Sequence, residues 1–266
     1  MNLTSVQRVK DYLGLTTPGS DGVILALIGR ASDQVIRWCS RPFQRTVYSG
    51  LRLSGYGYPQ QQMRMPDDPI ISVASLQIGQ TVIPVSPDAM QVGYQFDDKY
   101  IYLVGWDFSG YGTYGFGKGL RQVLVTFTAG FTGSENGFIP DAPGPYTVTP
   151  AAFGYASVDH GVTYVASGLP LTLVGGVPVA GQYGFSQGVY TFAAADKNLQ
   201  VTMSYDYTPG AVEQAVIELV GGDLKQRDNL GIASKSLRDE HIAYTDKAMS
   251  NSVQGLLAQY RRITPV

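Results

Sequence analysis

The spacing of apolar residues changes between Cys39 and Phe43, and that change limits what the chain can fold into. Before it, Val23, Ile24, Leu27, Ile28, Ala31, Val35, Ile36 and Trp38 recur at intervals of three and four. Such spacing gathers side chains on one face of a helix, here predicted from about Ser20 to Cys39. Ser20 or Asp21 can cap its first turn, because a short side-chain oxygen accepts from N–H groups that have no partner there. Pro42 sets the stop: it has no N–H and pushes Arg41 out of the helical region. Beyond Phe43 the pattern is extended. Trp38, Cys39, Arg41, Pro42 and Phe43 therefore read as a structural junction between a helical part and a β part.

The rest of the chain sorts around that junction. Residues 4–13 read as a first helix, with Thr4 and Gln7 as a capping box, a face of Val6, Val9 and Leu13, and Gly14 as its end. Strands are predicted at Thr46–Leu53, Pro69–Ile78, Thr81–Val85, Tyr100–Val104 and Arg121–Ala129, with Gly79-Gln80 as a hairpin turn. Residues 130–145 read as turns. A second β series follows at Val148, Val162–Tyr164, Leu171–Val174, Tyr190–Phe192 and Val201–Tyr207, so 141–208 reads as a separate small β domain. Then Thr208 can cap and Pro209 can open a helix whose face is Val212, Val216, Leu219, Val220 and Leu224. Gly221-Gly222 either ends that helix or lets another backbone approach. Residues 228–249 read as a hairpin or arm. A closing helix over about 252–262 sets Val253, Leu256, Leu257 and Tyr260 on one face. The fold class is α+β: a small helical bundle of N- and C-terminal helices packed with a β-sheet and hairpin region, plus an inserted all-β domain.

Composition narrows the function. Only 15% of the 266 residues are charged, against 32 glycines and 18 tyrosines, which suggests a β-rich protein whose surface is largely covered by neighbours. A net charge of −2 argues against duplex binding by bulk charge and suits a surface past which DNA slides. Cys39 is the sole cysteine, so no intrachain disulfide forms; this suits assembly in a reducing cytoplasm, with Cys39 a small core residue. The N-terminus does not read as a signal peptide, and no apolar run reaches membrane-spanning length.

No catalytic, cofactor-binding or metal-ligating residue is assigned. Gly110 to Gly115 matches GxGxxG and Gly112 to Lys118 matches GxxxxGK. Both motifs need a helix behind them to receive phosphate, and a strand follows here. The loop is read as a hairpin whose Tyr111, Tyr114, Phe116 and Lys118 contact a neighbour or line a channel. His160 and His241 lack zinc spacing and are read as exposed loop residues. Asp67-Asp68 and Asp97-Asp98 are adjacent on the chain, so they point apart rather than face each other across a cleft, and Asp97-Asp98 reads as a turn.

Taken in order, several segments resemble the tailed-phage head–tail connector (adaptor) family. Trp38-Cys39-Ser40-Arg41-Pro42-Phe43 after two helices is similar to its opening. Pro69–Val73 and Val123–Phe131 look like its two β elements, Ala211–Val216 like its third helix, Gly231–Tyr244 like its arm, and Leu256–Arg262 like its C-terminal end. The resemblance covers roughly 1–138 and 209–266. The chain departs from the family between Phe131 and Thr208, where compact members pass almost directly from strand to helix. On this resemblance 1–140 and 209–266 form the adaptor core, and 141–208 is an insert similar to small β modules of phage structural proteins. The resemblance implies a non-enzymatic ring, commonly of twelve copies, beneath the portal protein in the neck of the virion. Such a ring extends the DNA channel without reading sequence and offers a surface to a tail or stopper protein. Leu256, Leu257, Tyr260, Arg261 and Arg262 become portal-contact candidates, with Leu256 and Leu257 equally suited to closing the helical core. The alternative is a β-rich virion decoration module recognising a host glycan.

Overall fold

The computed structural model describes residues 2–16, 18–55, 61–88, 90–105, 115–117, 119–141, 143–144, 146–226, 234–237, 240–243 and 249–262. The chain divides into two compact units: Met1–Arg41 with Gly133–Arg261, and Pro42–Thr132 with Arg262–Val266. These run along different lines from the expected core and insert.

Helix α1 spans Val6–Leu13. Its cap is Ser5, whose side chain accepts from the Arg8 N–H at 3.3 Å. The Thr4–Gln7 capping box does not form, because the Thr4 hydroxyl is drawn inward and donates to Glu213 Oε1 at 2.9 Å. Helix α2 spans Asp21–Cys39, and Ser20 makes no side-chain cap bond to it. Ile24, Ile28, Ala31, Ser32, Val35 and Cys39 are its buried face, while Val23, at 40% exposure, lies off it. The stop comes before the proline. Ser40 takes a left-handed conformation at φ 55°. Its N–H reaches the Arg37 carbonyl at 3.2 Å and the Arg41 N–H reaches the Ile36 carbonyl at 3.3 Å. This pair of bonds is the Schellman closure, which satisfies carbonyls that a helix end leaves open.

Among the described residues, the unit from Pro42 holds β1 (Thr46–Gly55), β2 (Gln62–Arg64), β3 (Ile70–Ile78), β4 (Thr81–Ile83), β5 (Gly93–Phe96), β6 (Tyr100–Val104) and β7 (Gly119–Ala129). They form two antiparallel sheets, ordered β1-β7-β3-β4 and β2-β6-β5. Alternation along the strands sends Val73, Leu76, Val123, Val125 and Phe127 into one core with Met63, Tyr94, Ile101 and Leu103. The Tyr94 hydroxyl, buried in that core, donates to the Val73 carbonyl at 3.1 Å. Phe43 stacks on Phe131 with ring centroids 6.1 Å apart. The Asp97 turn forms as expected, its carboxylate accepting from the N–H groups of Lys99 and Tyr100.

The other unit continues with β8 (Thr132–Phe138), β9 (Thr147–Val148), β10 (Gly154–Tyr164), β11 (Thr172–Leu173), β12 (Gln182–Ser186), β13 (Val189–Phe192) and β14 (Gln200–Pro209). Sheets ordered β10-β14-β8 and β11-β12-β13-β9 enclose Ile139, Val162, Tyr183, Tyr190, Phe192, Val201, Met203 and Tyr205. Helix α3 (Gly210–Gln226) starts where β14 ends, so Pro209 is the last strand residue rather than the first helical one. Thr208 is fully buried, and its hydroxyl has no hydrogen bond among the described residues. Gly154, at φ 139°, is required at this crossing because a Cβ there would lie 2.2 Å from the Thr208 carbonyl oxygen. After α3 come the hairpin β15 (Ser234–Leu237) and β16 (Glu240–Ala243), then α4 (Asn251–Leu257) and a 3₁₀ turn, Ala258–Tyr260.

Helices α1, α2 and α4 all pack on α3, and α3 also packs on β10 and β14. The fold is α+β and strand-rich. The emphasis on a small helical bundle is corrected: strands outweigh helices, and within their own unit the helices pack on β10 and β14 through α3.

Candidate functional site: the α2 exit and the closing helix

The end of α2 and the end of the chain meet. Ser250 caps α4, accepting from the Val253 N–H at 3.2 Å, and Val253 and Leu257 are buried where α4 packs on α3. The 3₁₀ turn then carries the chain to Arg261, whose guanidinium carbon sits 5.5 Å from the centroid of the Trp38 ring. At that distance the cation is attracted by the ring face, and Arg is the residue that stacks best there. Arg41 is buried beside them. Its charge acts on both Cys39 and Tyr260.

Two arginines, Arg41 and Arg261, act on this corner. Burial pushes the Cys39 thiol up to about 11, against the opposing pull of Arg41 and Arg261. Burial also raises the Tyr260 hydroxyl, and Arg41 opposes that shift. Cys39 is therefore a neutral thiol at physiological pH, with no nucleophilic character.

The structure sorts the residues singled out from sequence. Arg261 is exposed; Leu256, Tyr260, Arg262 and Trp38 are partly buried. Leu257 is fully buried, which makes it a core residue and leaves its neighbours to face outward. Cys39 and Phe43 are buried, and Pro42 is partly so. Phe116 is fully enclosed in the core of the β-sheet unit, so it packs rather than offering a surface. Tyr111, Tyr114 and Lys118 lie outside the described residues. No helix follows the GxGxxG stretch, because β7 begins at Gly119.

No protein-family model matches the sequence, and no curated protein matches it. Among solved structures, the chain is similar to one described as "Neck of empty GTA particle computed with C6 symmetry", at 13% identity, a TM-score of 0.37, and coverage of 99% of this chain and 92% of that one. A likeness of that strength does not fix a shared fold.

Further polar pairs among the described residues link separate strands and turns, and most of them have no signature in the sequence. His160 lies in β10, not in a turn, and its Nε2 pairs with the buried Asp206 Oδ1 at 2.5 Å. Asp159 accepts from the hydroxyls of Tyr183 and Tyr190, at 2.5 and 2.9 Å. Burial, reinforced by that carboxylate, holds both tyrosines far above their ordinary range. Asp196 accepts from the Tyr164 hydroxyl at 2.9 Å and the Gly181 N–H at 3.1 Å. Asp-to-Tyr bonds bridging strands leave no trace in residue spacing. A hollow of about 420 Å³ lies among Thr4, Ser5, Asp21, Tyr155 and Gln187. Three of its polar groups are already engaged: Ser5 caps α1, Thr4 bonds Glu213, and Asp21 pairs with Lys10 at 2.9 Å.

Proposed function

We propose that this chain is a structural, non-enzymatic head–tail adaptor of a tailed bacteriophage. Copies form a ring beneath the portal, extend the DNA channel and join the capsid to the tail. One observation carries the reading: Arg261 of the closing segment rests on Trp38 of the α2 exit. These are the two ends on which the family resemblance rests, and they share one corner of the fold. The helical layer supports it too, since α1, α2 and α4 all dock on α3 although about 170 residues separate α2 from α3.

In this reading Arg261 and Tyr260 face the portal, and Leu257 holds their segment in place. No helix among the described residues is long and apolar enough to cross a membrane. The test is co-sedimentation of the purified full chain with the portal protein of the same phage. The reading expects a comigrating ring-sized complex. A chain that stays monomeric and leaves the portal unbound contradicts it.

A further inference from the structure

We infer that Arg261, held over the Trp38 ring, is a preorganised receptor for a carboxylate on an acidic segment of the partner protein. The inference rests on the adaptor reading and adds the chemistry of the contact. Arg261 is exposed, and its guanidinium carbon lies 5.5 Å from the centroid of the Trp38 ring. An exposed guanidinium restrained by an aromatic neighbour still has N–H donors to offer, and its planar fork can bind a carboxylate through two parallel bonds.

Charge points the same way. The two charges that act on the neighbouring Cys39 thiol are Arg41 and Arg261, both positive. Arg37, in the last turn of α2, is exposed as well. Neither Arg37 nor Arg261 has a carboxylate partner among the described residues. Two exposed arginines in a chain of net charge −2 fit an anionic patch on a partner better than a neutral one. The negative end of α2 lies at the same corner and accounts for some of this positive charge. A purely internal role would be felt in the stability of the free chain, so stability is read alongside binding.

The test uses the full chain and portal rings from the same virus, with binding measured at low and high salt and the thermal midpoint of each free variant recorded. Arg261→Gln is expected to bind about 10- to 100-fold more weakly, the range set by losing one charge-assisted bidentate contact. Arg261→Lys is expected to recover only part of that loss, since an ammonium lacks the planar fork. Trp38→Phe should weaken binding to a lesser degree by removing the better stacking surface. Wild-type binding should weaken as salt rises. If wild type binds and Arg261→Gln and Arg261→Lys bind equally well, the inference is overturned and the adaptor reading stands. The inference is overturned in the same way if Arg261→Gln lowers only the thermal midpoint. If wild type leaves the portal unbound, the adaptor reading itself fails.

Discussion

Glu213 shows how single side chains tie this fold together. It lies buried on α3, accepts from the Thr4 hydroxyl, and pairs with Arg8 at 2.8 Å. Arg8 in turn sits 5.5 Å from the Tyr155 ring centroid, so one carboxylate links α1, α3 and β10. Burial raises the Glu213 pKa, and the pull of Arg8 and Thr4 does not overcome it. The sign follows: between the ordinary and the raised value the folded state holds more protons than the unfolded one, so stability falls as pH rises through that window. Glu213→Gln should therefore cost less than about 1 kcal/mol at neutral pH and flatten the fall, because the amide still bonds Thr4. Glu213→Ala, which strands both partners, should cost about 2–4 kcal/mol. Urea unfolding from pH 4 to 7 checks both; a loss of several kcal/mol for the Gln variant would contradict the dominance of burial. Cys39 carries a simpler expectation. Its buried, protonated thiol should resist iodoacetamide at pH 7.5 in the native chain and react once unfolded, as read by intact mass. Rapid native labelling would contradict its placement.

At the scale of elements, the helices and long strands are legible in the sequence because their periodicity is local. The strand Tyr100–Val104 has the bounds its alternation predicts, and α2 starts within one residue of its expected position. What the sequence does not reveal is anything set by a distant partner. Strand β8 is Thr-Gly-Ser-Glu-Asn-Gly-Phe, a composition that reads as a turn. Its glycines are there because neighbours cover them: a Cβ at Gly133 would meet the Phe153 ring at 2.7 Å, and one at Gly137 would meet Met203 at 2.7 Å. The short strands β2 and β5 and the Ser5 cap escape sequence reasoning for the same reason. The paired glycines of α3 are resolved in favour of a continuous helix. At Gly221 the neighbour is the Leu13 side chain, 3.1 Å from where a Cβ would sit, while Gly222 has open space. Gly222→Ala should therefore stabilise the chain by about 0.5–1 kcal/mol, a rise of roughly 1–4 °C in the thermal midpoint. Gly221→Ala should gain less, or lose, because Leu13 must give way. Differential scanning calorimetry of the two variants decides it, and equal gains would contradict the close packing of α1 on α3.

For the whole molecule, the organisation is a helical layer made from both ends of the chain, with strands spliced between α2 and α3. The helices near both ends are legible in the sequence, whereas the corner they form exists only in three dimensions, where Arg261 lies 5.5 Å from the Trp38 ring centroid. Burial splits the site candidates: Leu257 and Phe116 turn inward, while Arg261 stays exposed and Tyr260 partly so. In the proposed ring each copy would present different surfaces to its two neighbours, and closure of those contacts would set the copy number. The most direct measurement is an electron-microscopy class average of the purified chain mixed with its portal. The account predicts a closed ring of added density coaxial with the portal and continuing its channel. Portal particles without added density, beside a chain that remains monomeric, would contradict it.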